Sequence, residues 1–186
     1  MNKALRLIFW GYVFILFDIH IVIDLFMDPI GYLLFVSGCS KLVGAYPIAK
    51  KAKLVGLFGV FISLPSVIVN LSDANLYLGW VTYASLVFIM KLIMGYYLFL
   101  VLKDVAKAFG DRALQQRTES TFKFYVAIHL LSFALLSFSI NIPDNSFVTL
   151  TIISAFGVLL MDILFLFLVR ALRRVSGEQL RVNTFI

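Results

Sequence analysis

Asp18, His20 and Asp24 interrupt an otherwise apolar run, Asp18-Ile-His-Ile-Val-Ile-Asp24-Leu-Phe-Met-Asp28-Pro29-Ile-Gly31-Tyr32. On a helix, His20 and Asp24 are four residues apart and share a face, whereas Asp18 lies about 120° round from Asp24. A carboxylate at that spacing favours the imidazolium, so the pair reads as a pH-responsive element or a metal contact. Two or three scattered ligands fall short of a specified metal site. The plainer reading is that Asp24 and Asp28 solvate the end of a hairpin. Lys41, Lys91, His129 and Asp162 also stand among apolar neighbours. A charged group costs roughly 2.5–3.5 kcal/mol at the centre of a spanning helix, so such residues face protein or water and pair with one another. Lys91 paired with Asp162 or with Asp18 is the economical arrangement, with Lys41 and His129 nearer the inner side of the same polar column. The set reads either as a solute or proton pathway or as buried ion pairs that fix helix register, with Lys41 alternatively a side chain that snorkels toward the inner side.

The elements that position these groups follow from composition. In 186 residues, 62% are apolar and 14% charged, and the mean hydropathy is +1.00. A water-soluble domain of this length would lack the polar surface to cover itself, whereas a bilayer accepts helices that are apolar all round. The sequence therefore predicts an all-α integral membrane protein. The net charge of +6 comes with no nucleic-acid-binding motif, and excess Lys and Arg in a membrane protein first report cytoplasmic loops. Cys39, the single cysteine, has no partner for an internal disulfide and reads as a small packing residue. Residues 1–26 begin like a signal peptide but carry no small-x-small cleavage site, and so read as a retained first span.

Hydropathy and turn residues divide the chain into six expected spans, at about 7–26, 29–46, 54–71, 76–102, 122–142 and 147–169. Asp28-Pro29 turns the first into the second, with Asp28 placed to cap and Pro29 in the first turn. Pro65 is expected to kink the third. A polar connection over 103–121 precedes the fifth, and a basic tail over 170–186 follows the sixth. Basic residues fall at the amino end, in 47–53, in 103–121 and in the tail. The opposite turns hold Asp28, Asp73 and Asp144 without Lys or Arg. The positive-inside rule then makes both termini cytoplasmic and arranges three hairpins. Asn70-Leu-Ser-Asp73 and Asn141-Ile-Pro-Asp144 occupy equivalent turns, which reads either as a faint parallel repeat or as the chance likeness of any chain of hairpins. Gly31, Gly38 and Gly44 read as close-packing positions of the second helix. Tyr32, Trp10, Tyr12, Trp80, Tyr96 and Tyr97 read as interface or packing aromatics. Ser132, Ser137 and Ser139 either line a pathway or bond their own helix backbone.

Ile23-Asp24-Leu-Phe-Met-Asp28-Pro29-Ile-Gly31-Tyr32-Leu-Leu, continued by Gly38-Cys-Ser-Lys41-Leu, resembles an uncharacterised family of small multi-spanning membrane proteins of Gram-positive bacteria. In that family the first helix ends in an Ile-Asp-Ile-Leu-Pro-Asp-x-Ile-Gly-Tyr type of turn. Trp10-Gly11 is also similar. Here the proline follows Asp28 instead of preceding it. The likeness covers residues 8–42 and implies a bacterial cell-membrane setting with no activity attached. The matching positions are Asp24, Asp28, Gly31, Tyr32 and Lys41.

No zinc-protease, nucleophile-elbow or phosphate-loop pattern is present in the sequence, so no catalytic residue, metal site or cofactor is expected. The leading expectation is a small permease or solute-binding membrane protein whose polar interior involves Asp18, His20, Asp24, Lys91 and Asp162. The alternative is an accessory or regulatory protein that binds another membrane protein. Expected partners are the lipid bilayer, a small solute, and a second copy or a membrane-protein partner, with no nucleic acid.

Overall fold

The computed structural model of the chain describes residues 1–16, 28–67, 78–138 and 144–182. Asp18, His20 and Asp24 lie outside the described residues, as do both Asn-x-x-Asp turns up to Asp144. The described residues form six α-helices and no strand: α1 (Asn2–Leu16), α2 (Asp28–Ser40), α3 (Ala49–Ile62), α4 (Leu78–Ala108), α5 (Arg112–Ser137) and α6 (Asp144–Val182). A 3-10 turn, Pro65–Val67, follows α3. The all-α expectation holds. Six spans do not emerge by length: only α4, α5 and α6 contain described segments long and apolar enough to cross a membrane. The described parts of α1, α2 and α3 have 15, 13 and 14 residues, against about 20 for a full crossing.

Helix ends depart from the expected spans for local reasons. The second helix stops at Ser40, not Tyr46, and Lys41, Leu42 and Val43 donate back to Gly38 and Cys39 carbonyls in a tight turn. Lys50, Lys51 and Lys53 belong to α3 rather than to a loop. Pro65 does not kink a longer third helix. That helix has already ended at Ile62, since proline disfavours helical geometry in Leu64 before it. The Ser63 hydroxyl bonds the Val60 carbonyl at 3.2 Å and Tyr83 donates to Ile62 O, so carbonyls freed at the helix end are satisfied. The expected polar connection over 103–121 is almost wholly helix, broken only at residues 109–111. Gly110 takes φ 71°, a conformation glycine adopts without a Cβ penalty, and the Asp111 side chain caps α5 by accepting from Leu114 N at 3.0 Å. Likewise α6 continues unbroken through the expected tail to Val182.

Each helix packs on its neighbour in sequence and α6 returns to α1, so the six close into a ring, with α4 also touching α6. Small residues set the spacing on one side. A Cβ at Gly11 would lie 2.6 Å from the Gly31 carbonyl oxygen, and one at Gly38 would lie 2.6 Å from an Ile8 side-chain carbon. Backbone therefore meets backbone between α1 and α2. The rings of Tyr32 and Phe35 fill the grooves left by Gly59 and Gly56 of α3, and both are fully buried. Gly44, expected to pack in the same way, has open space beside it.

The basic ends assemble at one end of the ring. Lys3 and Arg6 of α1 meet Lys41 and Arg173 around one cavity, Arg117 meets Arg170 and Arg174 around another, and Lys103 pairs with Glu119 at 2.8 Å. Outward-facing positions are apolar, among them Phe58, Phe61, Leu131, Ile153 and Phe156, as lipid-facing helix surfaces are.

Candidate functional site

Asp162 lies in the middle of α6 and is 1% exposed. A carboxylate there needs compensation, because burying an unpaired charge is far more costly than burying a paired one. Two other helices supply it, and a third brings an imidazole close. Lys91 of α4 places Nζ 2.7 Å from Asp162 Oδ2. Tyr12 of α1 donates its hydroxyl to Oδ1 at 2.5 Å. His129 of α5 sets Nε2 3.6 Å from Oδ1. Tyr125, one turn from His129, brings its hydroxyl 2.9 Å from that of Tyr12, so a hydroxyl chain runs from α5 through α1 to the carboxylate on α6.

The imidazole of His129 is tightly held. Its Nδ1 lies 2.8 Å from the Tyr125 carbonyl; a carbonyl only accepts, so Nδ1 carries the hydrogen. Nε2 has no hydrogen-bond partner among the described residues and faces Asp162 Oδ1 across 3.6 Å. The ring stacks between Tyr125, at 4.0 Å, and Phe88, at 5.7 Å between centroids. Gly95 of α4 makes room for the phenol: a Cβ there would lie 2.7 Å from the Tyr125 hydroxyl.

The two sides of this cluster differ. Toward the basic end, Phe99 packs on Phe122, Tyr125 and Phe165 at 5.3, 5.2 and 5.0 Å, and Tyr12 lies 4.4 Å from Phe165. Leu98, Leu102, Val169 and Leu172 continue that seal, all without exposure. Toward the opposite end lies a cavity of about 520 Å³ with Lys91 and Asp162 in its wall. Ser132, Thr151 and Ser154 give its polar side, and Leu135, Val158 and Leu159 are among its apolar residues. Ser154 donates to Ser132 Oγ at 2.6 Å, and Ser132 donates to the Ile128 carbonyl at 2.8 Å. The Thr151 hydroxyl is buried with no partner among the described residues. Lys91, 17% exposed, uses one of its three donors on Asp162.

Of the residues singled out from sequence, Lys91, His129 and Asp162 come together. Lys41 does not. It lies exposed in the turn after α2, beside Lys3, Arg6 and Arg173, because α2 ends six residues short of the expected span. Asp28 opens α2, and Gly31 and Tyr32 serve the packing of α2 on its neighbours. Tyr12, read as an interface or packing aromatic, is a member of the cluster, and Tyr125 and Gly95 complete it. Nothing in their spacing distinguishes them from other aromatics and glycines in apolar helices. Both readings of the fifth-helix serines apply: Ser132 and Ser137 bond the carbonyls four residues back, and Ser132 also lines the cavity. Ser139 lies outside the described residues. No family model, curated protein or solved structure matches the chain.

Proposed function

We propose that the protein is a small solute-binding or permease-type membrane protein that takes a small amphipathic solute in the cavity beside Lys91 and Asp162. In this reading all six helices are embedded in a bacterial cell membrane and both ends are cytoplasmic. The observation that carries it is the one-sided cavity. Its volume of about 520 Å³ falls within the range of small-molecule sites, which combine apolar walls with a few convergent polar groups. The aromatic seal closes the route from the ion pair toward the basic end. By the positive-inside rule the basic end faces the cytoplasm, so the binding side is the outer side. The bacterial setting rests on the turn around Asp24, Asp28, Gly31 and Tyr32.

The chemistry of the wall defines the solute class. The two remaining ammonium hydrogens of Lys91 call for an acceptor, such as a carboxylate, carbonyl or hydroxyl. The oxygens of Ser154 and Thr151 accept from a donor on the same molecule. Leu135, Val158 and Leu159 cover an apolar body. Native mass spectrometry of the protein released from its own membrane in mild detergent tests this reading. A reproducible small added mass on the wild type, lost on Ser154→Leu with the fold retained, is the expected result. A protein adduct in place of the small mass would replace this reading with the accessory-protein one.

A further inference from the structure

A second cavity, at the basic end, is built quite differently. It encloses about 600 Å³ and is lined by Met1, Asn2, Lys3, Ala4, Arg6, Lys41 and Arg173. Four cations from α1, the turn after α2 and α6 thus converge with no carboxylate among the lining residues. None of the four forms an ion pair with any described residue. Holding like charges together without a counter-charge is unfavourable, and a bound anion relieves it.

We propose that this cavity is a binding site for the phosphate headgroup of an anionic phospholipid. The argument for a lipid over a soluble phosphate lies on α1. Lys3, Arg6 and Trp10 follow one another at spacings of three and four residues on one exposed face, so they form a continuous stripe. Trp10 is 50% exposed and stands one turn from Arg6, on the side leading into the apolar part of the ring. Tryptophan favours the headgroup level of a bilayer, and its indole here lies where the glycerol backbone and upper acyl chain of a lipid bound by Arg6 would run. A free phosphate would leave that ring without a ligand contact. Across α6, Arg117, Arg170 and Arg174 line a further cavity together with the exposed Phe167. That repeats the pairing of basic groups with an outward aromatic, and basic pockets between helices on the cytoplasmic side are where anionic headgroups bind.

The test is lipid titration followed by native mass spectrometry of the full chain in detergent. Phosphatidylglycerol, phosphatidylcholine and inorganic pyrophosphate are the probes. Each basic group near an anionic headgroup contributes about a factor of five, so the wild type should retain phosphatidylglycerol at least ~10-fold over phosphatidylcholine. The variant Lys3→Gln/Arg6→Gln/Arg173→Gln should lose that preference. The charge-matched variant Lys50→Gln/Lys51→Gln/Lys53→Gln, changed outside the cavity, should keep it. Equal retention of the two lipids by the wild type, or equal loss in both variants, would overturn the site. Displacement of the lipid by equimolar pyrophosphate would overturn the lipid as its occupant. The wild-type lipid preference and pyrophosphate displacement are measured without any substitution, so a variant that fails to fold does not remove the test.

Discussion

Tyr12 donates its phenolic hydrogen to Asp162 Oδ1 across 2.5 Å, at a sequence separation of 150. That bond ties the first helix to the last and closes the ring at the depth of the buried ion pair. A hydrogen bond to a charged acceptor contributes about 1.5–3 kcal/mol, and one between neutral groups about 0.5–1.5 kcal/mol. Tyr12→Phe should therefore destabilise more than Tyr125→Phe, whose hydroxyl reaches only that of Tyr12. The double variant should cost less than the sum, because the two share one chain of bonds. Reversible unfolding in mixed micelles measures all three.

Removing one member of the ion pair is predicted to be worse than removing both. Lys91→Met leaves Asp162 buried without its ammonium and should cost about 3–5 kcal/mol, whereas Lys91→Met combined with Asp162→Leu should recover most of that loss. The exchange Lys91→Asp with Asp162→Lys separates structure from function. A pair that only fixes register tolerates reversal. A solute site loses its ligand even when the fold recovers, which thermal stability and the bound-mass assay report together.

Thr151 offers a test in which stability and binding move in opposite directions. Its buried hydroxyl has no partner among the described residues, so Thr151→Val removes an uncompensated polar group and should stabilise the empty protein by up to about 1 kcal/mol. If the hydroxyl waits for a solute, the same variant should retain less of the small added mass than the wild type. Unchanged retention would take Thr151 out of the site.

The pairing of Lys91 with Asp162 was legible because hydrocarbon penalises every unpaired charge, and counting residues from the basic ends places both at similar depth. The same counting left Asp18 as an equal candidate partner. It also left Lys41 between the polar column and an inner-side position, because depth depends on where a helix ends, and Gly44 in the turn over 41–45 reads equally as a close-packing position of a longer second helix. Pro65 marked a helix boundary, but a proline in an apolar run reads equally as a kink or a stop. Tyr12 and Tyr125 stayed hidden for a different reason. A phenol satisfies its hydroxyl equally well at an interface or on a buried carboxylate, and composition does not say which face of a helix turns inward.

The glycines of α1 and α2 supply a paired control. Gly11→Ala would push a methyl to 2.6 Å from a backbone oxygen and 2.8 Å from the Phe35 nitrogen, so the helices must separate, at about 1–3 kcal/mol or more. Gly44 has open space around it and no positive φ. Gly44→Ala should therefore be neutral or stabilising by about 0.4–1 kcal/mol, through the reduced freedom of the unfolded chain. A thermal melt of each in the same detergent checks the contrast.

The ring closes only with its last member, and that has a consequence for synthesis. Lys91 and His129 are translated before Asp162, and Tyr12 long before either. A chain halted ahead of α6 holds the Lys91 ammonium, in a helix apolar enough to cross a membrane, with its carboxylate still unmade. Translation of Asp162 supplies the counter-charge that Lys91 pairs with at 2.7 Å, so the arrival of α6 closes the ring and the ion pair together. A nascent chain truncated before it would present to membrane proteases a cation that the longer chain pairs with Asp162.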